Sequence, residues 1–261
     1  MARIAYATGV DVTTLLALRF GIAAGILLVV ALARDETWPR GRTLAVLVAL
    51  GAFGYGGQAL TFFTALTLAP AGLVALLLYL YPALVAILSA ALLHERLSAA
   101  KLGALAIALA GTFMTVSPAS SARPLGIALG IAAAAIYAVY IVAGSRLTGR
   151  VAPQTMATIV IAAAGAVFVA ATFARGPTWP GTPIGWLAVI GIALVSTVAA
   201  IVLFFAGLAR VGPTRASVLS TVEPLCTVLL AAVFLGEAIA PLQLVGGALI
   251  LGAVVLLAQA R

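Results

Sequence analysis

YLYPALVAILSAALLHERLSAAK, from Tyr79 to Lys101, returns later in the chain as TVEPLCTVLLAAVFLGEAIAPLQ, from Thr221 to Gln243. Pro82 aligns with Pro224 (224 − 82 = 142) and Glu95 with Glu237 (237 − 95 = 142). Phe62 and Phe63 meet Phe204 and Phe205 at the same offset of 142. Four anchors at one spacing, with an apolar run of similar length between proline and glutamate, mark an internal duplication.

Composition supplies the setting. Of 261 residues, 65% are hydrophobic and 8% charged, whereas a soluble domain carries about 25% charged residues. Apolar runs of 18 or more residues recur along the chain, each long enough to cross roughly 30 Å of hydrocarbon as a helix. The runs are continuous and rich in Ala, Leu and Gly, which excludes the short alternating segments of a transmembrane barrel. The chain therefore reads as an all-α polytopic membrane protein. A net charge of +8 is scattered singly between the runs, as topology signals rather than a nucleic-acid surface. The single cysteine, Cys226, excludes an internal disulfide or a cysteine cluster and reads as a packing residue. No cleavable signal peptide is expected from MARIAYATGVD.

Nine spans are expected: Val12 to Ala33, Leu44 to Leu66, Ala71 to Leu93, Ala99 to Ser117, Pro124 to Gly144, Pro153 to Phe173, Ile184 to Gly207, Pro213 to Phe234 and Pro241 to Ala258. The duplication divides them into repeats over 1–117 and 124–258, four spans and five. Subtracting 142 from the Pro124 to Gly144 span places its partner before Met1. The expectation is a ten-helix architecture whose first helix is missing, through a late start codon or a trimmed sequence; the alternative is a nine-helix variant. Five helices per half make the two copies inverted-topology repeats. With the absent helix starting inside, ten basic residues (Arg34, Arg40, Arg42, Arg96, Lys101, Arg146, Arg150, Arg210, Arg215 and Arg261) fall on the cytoplasmic side, against Arg3, Arg123 and Arg175 outside. That bias predicts a cytoplasmic C-terminus in the cytoplasmic membrane.

TLLALRF at Thr14 to Phe20, LYPALVAILSAALLHERLS at Leu80 to Ser98 and VEPLCTVLLAAVFLGEAIAPLQLVGGALILG at Val222 to Gly252, in this order and with this duplication, resemble the EamA-type transporters of the drug/metabolite transporter superfamily. The resemblance implies ten helices in two five-helix repeats and movement of small metabolites through a central cavity without nucleotide hydrolysis. It names no substrate.

Several residues could serve such a cavity. Pro82 and Pro224 lack the N–H that would bond the carbonyls of Leu78 and Ser220, so they mark either a midplane cavity and hinge or plain packing kinks. Gln58, Phe62, Tyr79, Tyr81, Tyr137, Tyr140, Phe204 and Ser220 are polar or aromatic groups inside aliphatic spans. They face the bundle, as a cavity lining or as interhelical packing. Glu95, Glu237 and His94 end apolar runs and read as interfacial anchors. Glu223 lies ten positions beyond Pro213, about 15 Å along a helix. An ionised carboxylate there costs on the order of 3 kcal/mol on insertion scales. Arg19, seven positions beyond Val12, is about 10 Å deep. Glu223 either contacts a cationic group or exchanges a proton during transport, or it is fixed in a bridge to Arg19 or an interhelical hydrogen bond. Runs at Gly51 to Gly57 and Gly246 to Gly252 predict close helix contacts.

There is no H-E-x-x-H, G-x-S-x-G or Walker loop in the sequence. The reading is a secondary transporter using alternating access, with no cofactor, no metal site, a small-molecule substrate and a lipid bilayer around it. Proton coupling and self-association stay open. An intramembrane enzyme, a channel or a scaffold is the alternative.

Overall fold

A computed structural model of the protein describes residues 2–34, 36–115, 123–224, 226, 229 and 240–259. The described residues fold into helices α1 (Ala2–Ala7), α2 (Val12–Ala33), α3 (Gly41–Leu68), α4 (Ala71–Leu78), α5 (Tyr81–Leu93), α6 (Ala99–Thr115), α7 (Pro124–Ser145), α8 (Pro153–Arg175), α9 (Pro183–Val211), α10 (Pro213–Leu219) and α11 (Pro241–Gln259). Six spans, counting α4 and α5 as one, are long and apolar enough to cross a membrane; α6 and α11 contain shorter apolar stretches. Such a chain has little choice, because a backbone in hydrocarbon must satisfy its own N–H and C=O groups. Leu203, Phe53, Phe113 and Phe173 are all exposed, a surface suited to lipid.

Helix starts follow local chemistry. Asp11 caps α2 by accepting the Thr14 N–H at 2.6 Å, and the Thr182 side chain caps α9 ahead of Pro183. Before α10 the chain turns at Gly212 with φ of 79°, a conformation open to glycine, and Pro213 then opens the helix. The same starts carry the duplication: Gly41 and Pro183, Ala71 and Pro213, and Ala99 and Pro241 are each separated by 142 (183 − 41, 213 − 71, 241 − 99).

The chain forms two compact units that interleave the two halves of the sequence: Met1–Thr64 with Ala143–Arg210, and Ala65–Val142 with Val211–Arg261. In the first unit α2 packs against its copy α8. Phe20 stacks on Phe168 with centroids 5.7 Å apart and sits against Gly165, whereas Thr14 accepts from the Thr178 N–H beyond the far end of α8. The two copies run antiparallel. In the second unit α6 packs against its copy α11: Gly103 lies beside Leu256 while Gly111 lies beside Gly246 and Ile250. These also run antiparallel, as inverted-topology repeats require. The expected glycine contacts are present in both units, since a Cβ on Gly51 of α3 would stand 2.3 Å from the Val160 carbonyl oxygen of α8 and one on Gly111 2.6 Å from that of Gly246.

Three features differ from the sequence reading. First, α3 and α9 each contain a π-helical segment, Leu50–Tyr55 and Leu194–Ala199, in matching parts of the two repeats. Second, Pro82 and Pro224 do not kink continuous helices. Both helices are interrupted: α4 ends at Leu78 and α5 starts at Tyr81, with Pro82 in its first turn, while α10 ends at Leu219 and the chain is helical again at 222–224. The Ser220 carbonyl, expected to lack a partner, accepts the Glu223 N–H at 3.1 Å. Proline sits where the second half-helix begins because its missing N–H costs nothing there. Third, Cys226 is exposed rather than packed. Glu237 and most of the expected span beyond Pro224 lie outside the described residues.

Candidate functional site

The interruptions in the second unit gather one group of expected residues. Tyr79 and Tyr81 flank the break between α4 and α5, their rings 6.4 Å apart. Tyr81 meets Tyr137 of α7 edge-on at 4.8 Å, and Tyr137 stacks on Tyr140 at 5.9 Å. The Tyr81 hydroxyl donates to the Ser217 carbonyl at 3.4 Å, and the Ser220 hydroxyl donates to the Ala216 carbonyl at 2.9 Å. The Tyr79 hydroxyl donates to the Glu223 carboxylate. Tyr79, Tyr81, Tyr140, Pro82 and Pro224 are buried, Tyr137 and Ser220 half-buried, and Glu223 exposed. One acid open to small molecules, held by a phenol and backed by four rings, can bind an amphipathic solute with a cationic end.

By the 142 offset Glu223 is the repeat equivalent of Tyr81 (223 − 81 = 142). The two copies thus bring different chemistry to the same position: a phenol from one, a carboxylate from the other.

Arg19, Gln58, Phe62 and Phe204 belong to the first unit. Arg19 is only 7% exposed. Its Nε donates to Thr197 Oγ1 at 2.7 Å, and its Nη2 to the Tyr55 hydroxyl at 3.1 Å and the Ser196 carbonyl at 3.4 Å. The guanidinium lies 5.0 Å from the Phe20 ring centroid, 5.2 Å from that of Phe63 and 6.0 Å from that of Tyr55. All of these partners are neutral and lie in its own unit. The partners come from the two π segments, and Tyr55 and Thr197 are repeat equivalents (197 − 55 = 142). The Thr197 hydroxyl itself donates back to the Ile192 carbonyl at 3.0 Å. Gln58 is buried one turn beyond Tyr55. Phe62 packs edge-on with Phe63 and Phe204 with Phe205, which makes this phenylalanine pair a packing element as well as a cavity candidate.

The sequence reading missed Tyr55, Ser196, Thr197 and Ser217. Its available signal was the Ser196-Thr197 pair, the two hydroxyl residues inside the apolar run of α9. Glu95 behaves as the expected anchor: it pairs with Lys101 at 2.7 Å and accepts the Thr214 hydroxyl at 2.7 Å, tying the start of α10 to the loop after α5.

Antiparallel copies, matched interruptions and polar clusters inside apolar helices define a duplicated, multi-pass integral membrane protein. The sequence pattern of the EamA-like transporter family matches residues 1–117 and 124–259, and the chain belongs to that family. It is 30% identical over 216 residues to an uncharacterized transporter of Archaeoglobus fulgidus, covering 83% of this chain and 77% of the relative. It is also 30% identical over 158 residues to the uncharacterized transporter YwfM of Bacillus subtilis, 59% of this chain and 53% of that one. A solved crystal structure aligns with a TM-score of 0.84 at 28% identity, over 97% of this chain and 91% of the other.

Proposed function

We propose that the protein is a secondary transporter that moves small metabolites or drug-like solutes across the cytoplasmic membrane by alternating access, with the Tyr79, Tyr81, Tyr137, Tyr140, Ser220 and Glu223 cluster as its substrate site. The observation that carries this reading is the pair of helix interruptions at matching repeat positions, with an exposed carboxylate beside one of them. Interrupted helices at corresponding positions of two inverted halves expose polar backbone in the membrane, and such backbone is stable where it lines a cavity. Glu223 either receives the cationic end of the solute or carries a proton in exchange; among the described residues Tyr79 and Tyr81 interact with it. The basic residues between spans support a cytoplasmic C-terminus.

The test is uptake into vesicles containing the purified protein, with a panel of labelled amines and an imposed pH gradient. Glu223→Gln keeps size and hydrogen bonding but removes the charge. A charge-assisted hydrogen bond contributes about 1.5–3 kcal/mol, so the variant should raise KM for a cationic solute roughly 10- to 100-fold, or lose dependence on the gradient. Unchanged KM and unchanged pH dependence in a well-inserted variant would remove Glu223 from the mechanism. Absence of saturable flux for any solute would remove the transport reading itself.

A further inference from the structure

We propose that Arg19 is an anion-recognition residue, the group in the first unit that receives the carboxylate of a solute. Arg19 is about 10 Å along α2 by the helical rise from Val12 and keeps only 7% of its surface exposed. A buried guanidinium calls for a counter-charge. Among the described residues no acid of the unit forms an ion pair with it. Asp11 is occupied as the cap of α2, accepting the Thr14 N–H, and Glu36 accepts the Thr155 hydroxyl; they are the first unit's described acids.

Donor count sharpens the point. A guanidinium has five N–H donors. Nε and Nη2 are committed to Thr197, Tyr55 and Ser196, while Nη1 donates to no described residue. Neutral partners orient the group and leave its full charge in place. Rings from Phe20, Tyr55 and Phe63 stand 5.0–6.0 Å away, which limits water around it and strengthens its field toward an entering anion. The arrangement has no repeat counterpart, since the position 142 beyond Arg19 is Ile161, fully buried and apolar. Yet the two side chains that hold it, Tyr55 and Thr197, are equivalent to one another. Both repeats therefore position a single cation at the level where the two π segments face it. An oriented cation whose Nη1 donors meet no described residue fits a carboxylate arriving from outside the protein.

An anionic lipid headgroup presents the same oxygens, but at about 10 Å into the helix a headgroup would have to leave the interface. The inference rests on the transport reading only for the claim that the bound anion is cargo, and binding tests it separately.

The experiment measures thermal unfolding, followed by intrinsic tryptophan fluorescence, of the full chain in phosphatidylcholine nanodiscs. Acetate, hexanoate and phenylacetate are each titrated against their neutral amides. At least one carboxylate should raise the unfolding temperature saturably, roughly tenfold more tightly than its amide, reflecting one charge-assisted contact. Arg19→Lys should weaken that binding about tenfold by losing the planar, oriented donors, Arg19→Gln should abolish it, and Gly25→Ala, where a Cβ meets nothing within 4 Å, should leave it intact. If no carboxylate outperforms its amide in the wild-type protein, the proposal falls, and that comparison needs no variant to fold. It falls also if Arg19→Gln binds as wild type. Arg19-dependent stabilisation by added phosphatidylglycerol, with none by carboxylates, would replace the solute with a lipid and overturn it.

Discussion

Replacing Gly51 with Ala should separate two helices, α3 and α8, whose backbones approach closely. A Cβ at Gly51 would stand 2.3 Å from the Val160 carbonyl oxygen, 2.9 Å from Val160 Cα and 2.8 Å from Ala163 Cβ. Ordinary contact starts at 3.4 Å, so α3 and α8 must part locally by about 1 Å, a gap that forfeits a quarter to a half of each dispersion contact along the seam. Backbone is struck rather than a flexible tip. The cost therefore belongs at the upper end of overpacking penalties, about 3 kcal/mol, or roughly a hundredfold in the ratio of folded to unfolded protein. Gly25→Ala in α2 is the control, because a Cβ there meets nothing within 4 Å. Heating the detergent-solubilised proteins and measuring the monodisperse fraction by size-exclusion chromatography gives an apparent Tm for each. Gly51→Ala should melt well below wild type and Gly25→Ala at or slightly above it. Equal melting of Gly51→Ala and wild type would refute the close-approach argument.

Two further outcomes are expected. Thr197→Val removes the acceptor 2.7 Å from Arg19 Nε and strands a charged donor, so it should cost about 1–3 kcal/mol in the same melting assay, while Thr197→Ser should restore most of it. A fluorescent protein fused after Arg261 should be fluorescent and alkaline phosphatase inserted near Ser120 should be active; the opposite pattern in either fusion would reverse the topology inferred from the basic residues.

Much of this architecture was readable because it is written in long-range regularities. Apolar runs mark α2, α7 and α8 almost to the residue, and the 142 offset between Pro82 and Pro224 carries over to the helix starts. The π segments were not readable, because an inserted residue in a helix changes hydrogen-bond spacing without changing composition. Nothing in LGAFGY or LVSTVA demands it. Proline gave the location of the interruptions and the wrong geometry: a kink and a new half-helix need the same missing N–H. For the candidate site, Tyr79, Tyr81, Tyr137, Tyr140 and Glu223 could be picked out as polar groups in apolar runs, but their separation from Arg19 and Gln58 into another unit depends on which helices pair, and sequence order hides that pairing.

That pairing also bears on how a duplicated chain acquires a specific site. Each unit contains helices from both halves, so a position and its repeat equivalent stay in the same unit: Tyr55 with Thr197, and Tyr81 with Glu223. Identical residues at such positions would present like groups to one another, and two carboxylates or two guanidiniums in one apolar unit would repel at a cost the membrane does not screen. Divergence resolves the conflict. One copy keeps a neutral hydrogen-bonding group and the other takes the charge, as with Tyr81 and Glu223, or both copies become neutral holders of a charge supplied once, as Tyr55 and Thr197 are for Arg19. In both clusters the scaffold retains the repeat while the charge does not. A substitution that restores the symmetry, such as Ile161→Arg, would add a second buried cation to a unit whose described acids, Asp11 and Glu36, already accept from Thr14 and Thr155.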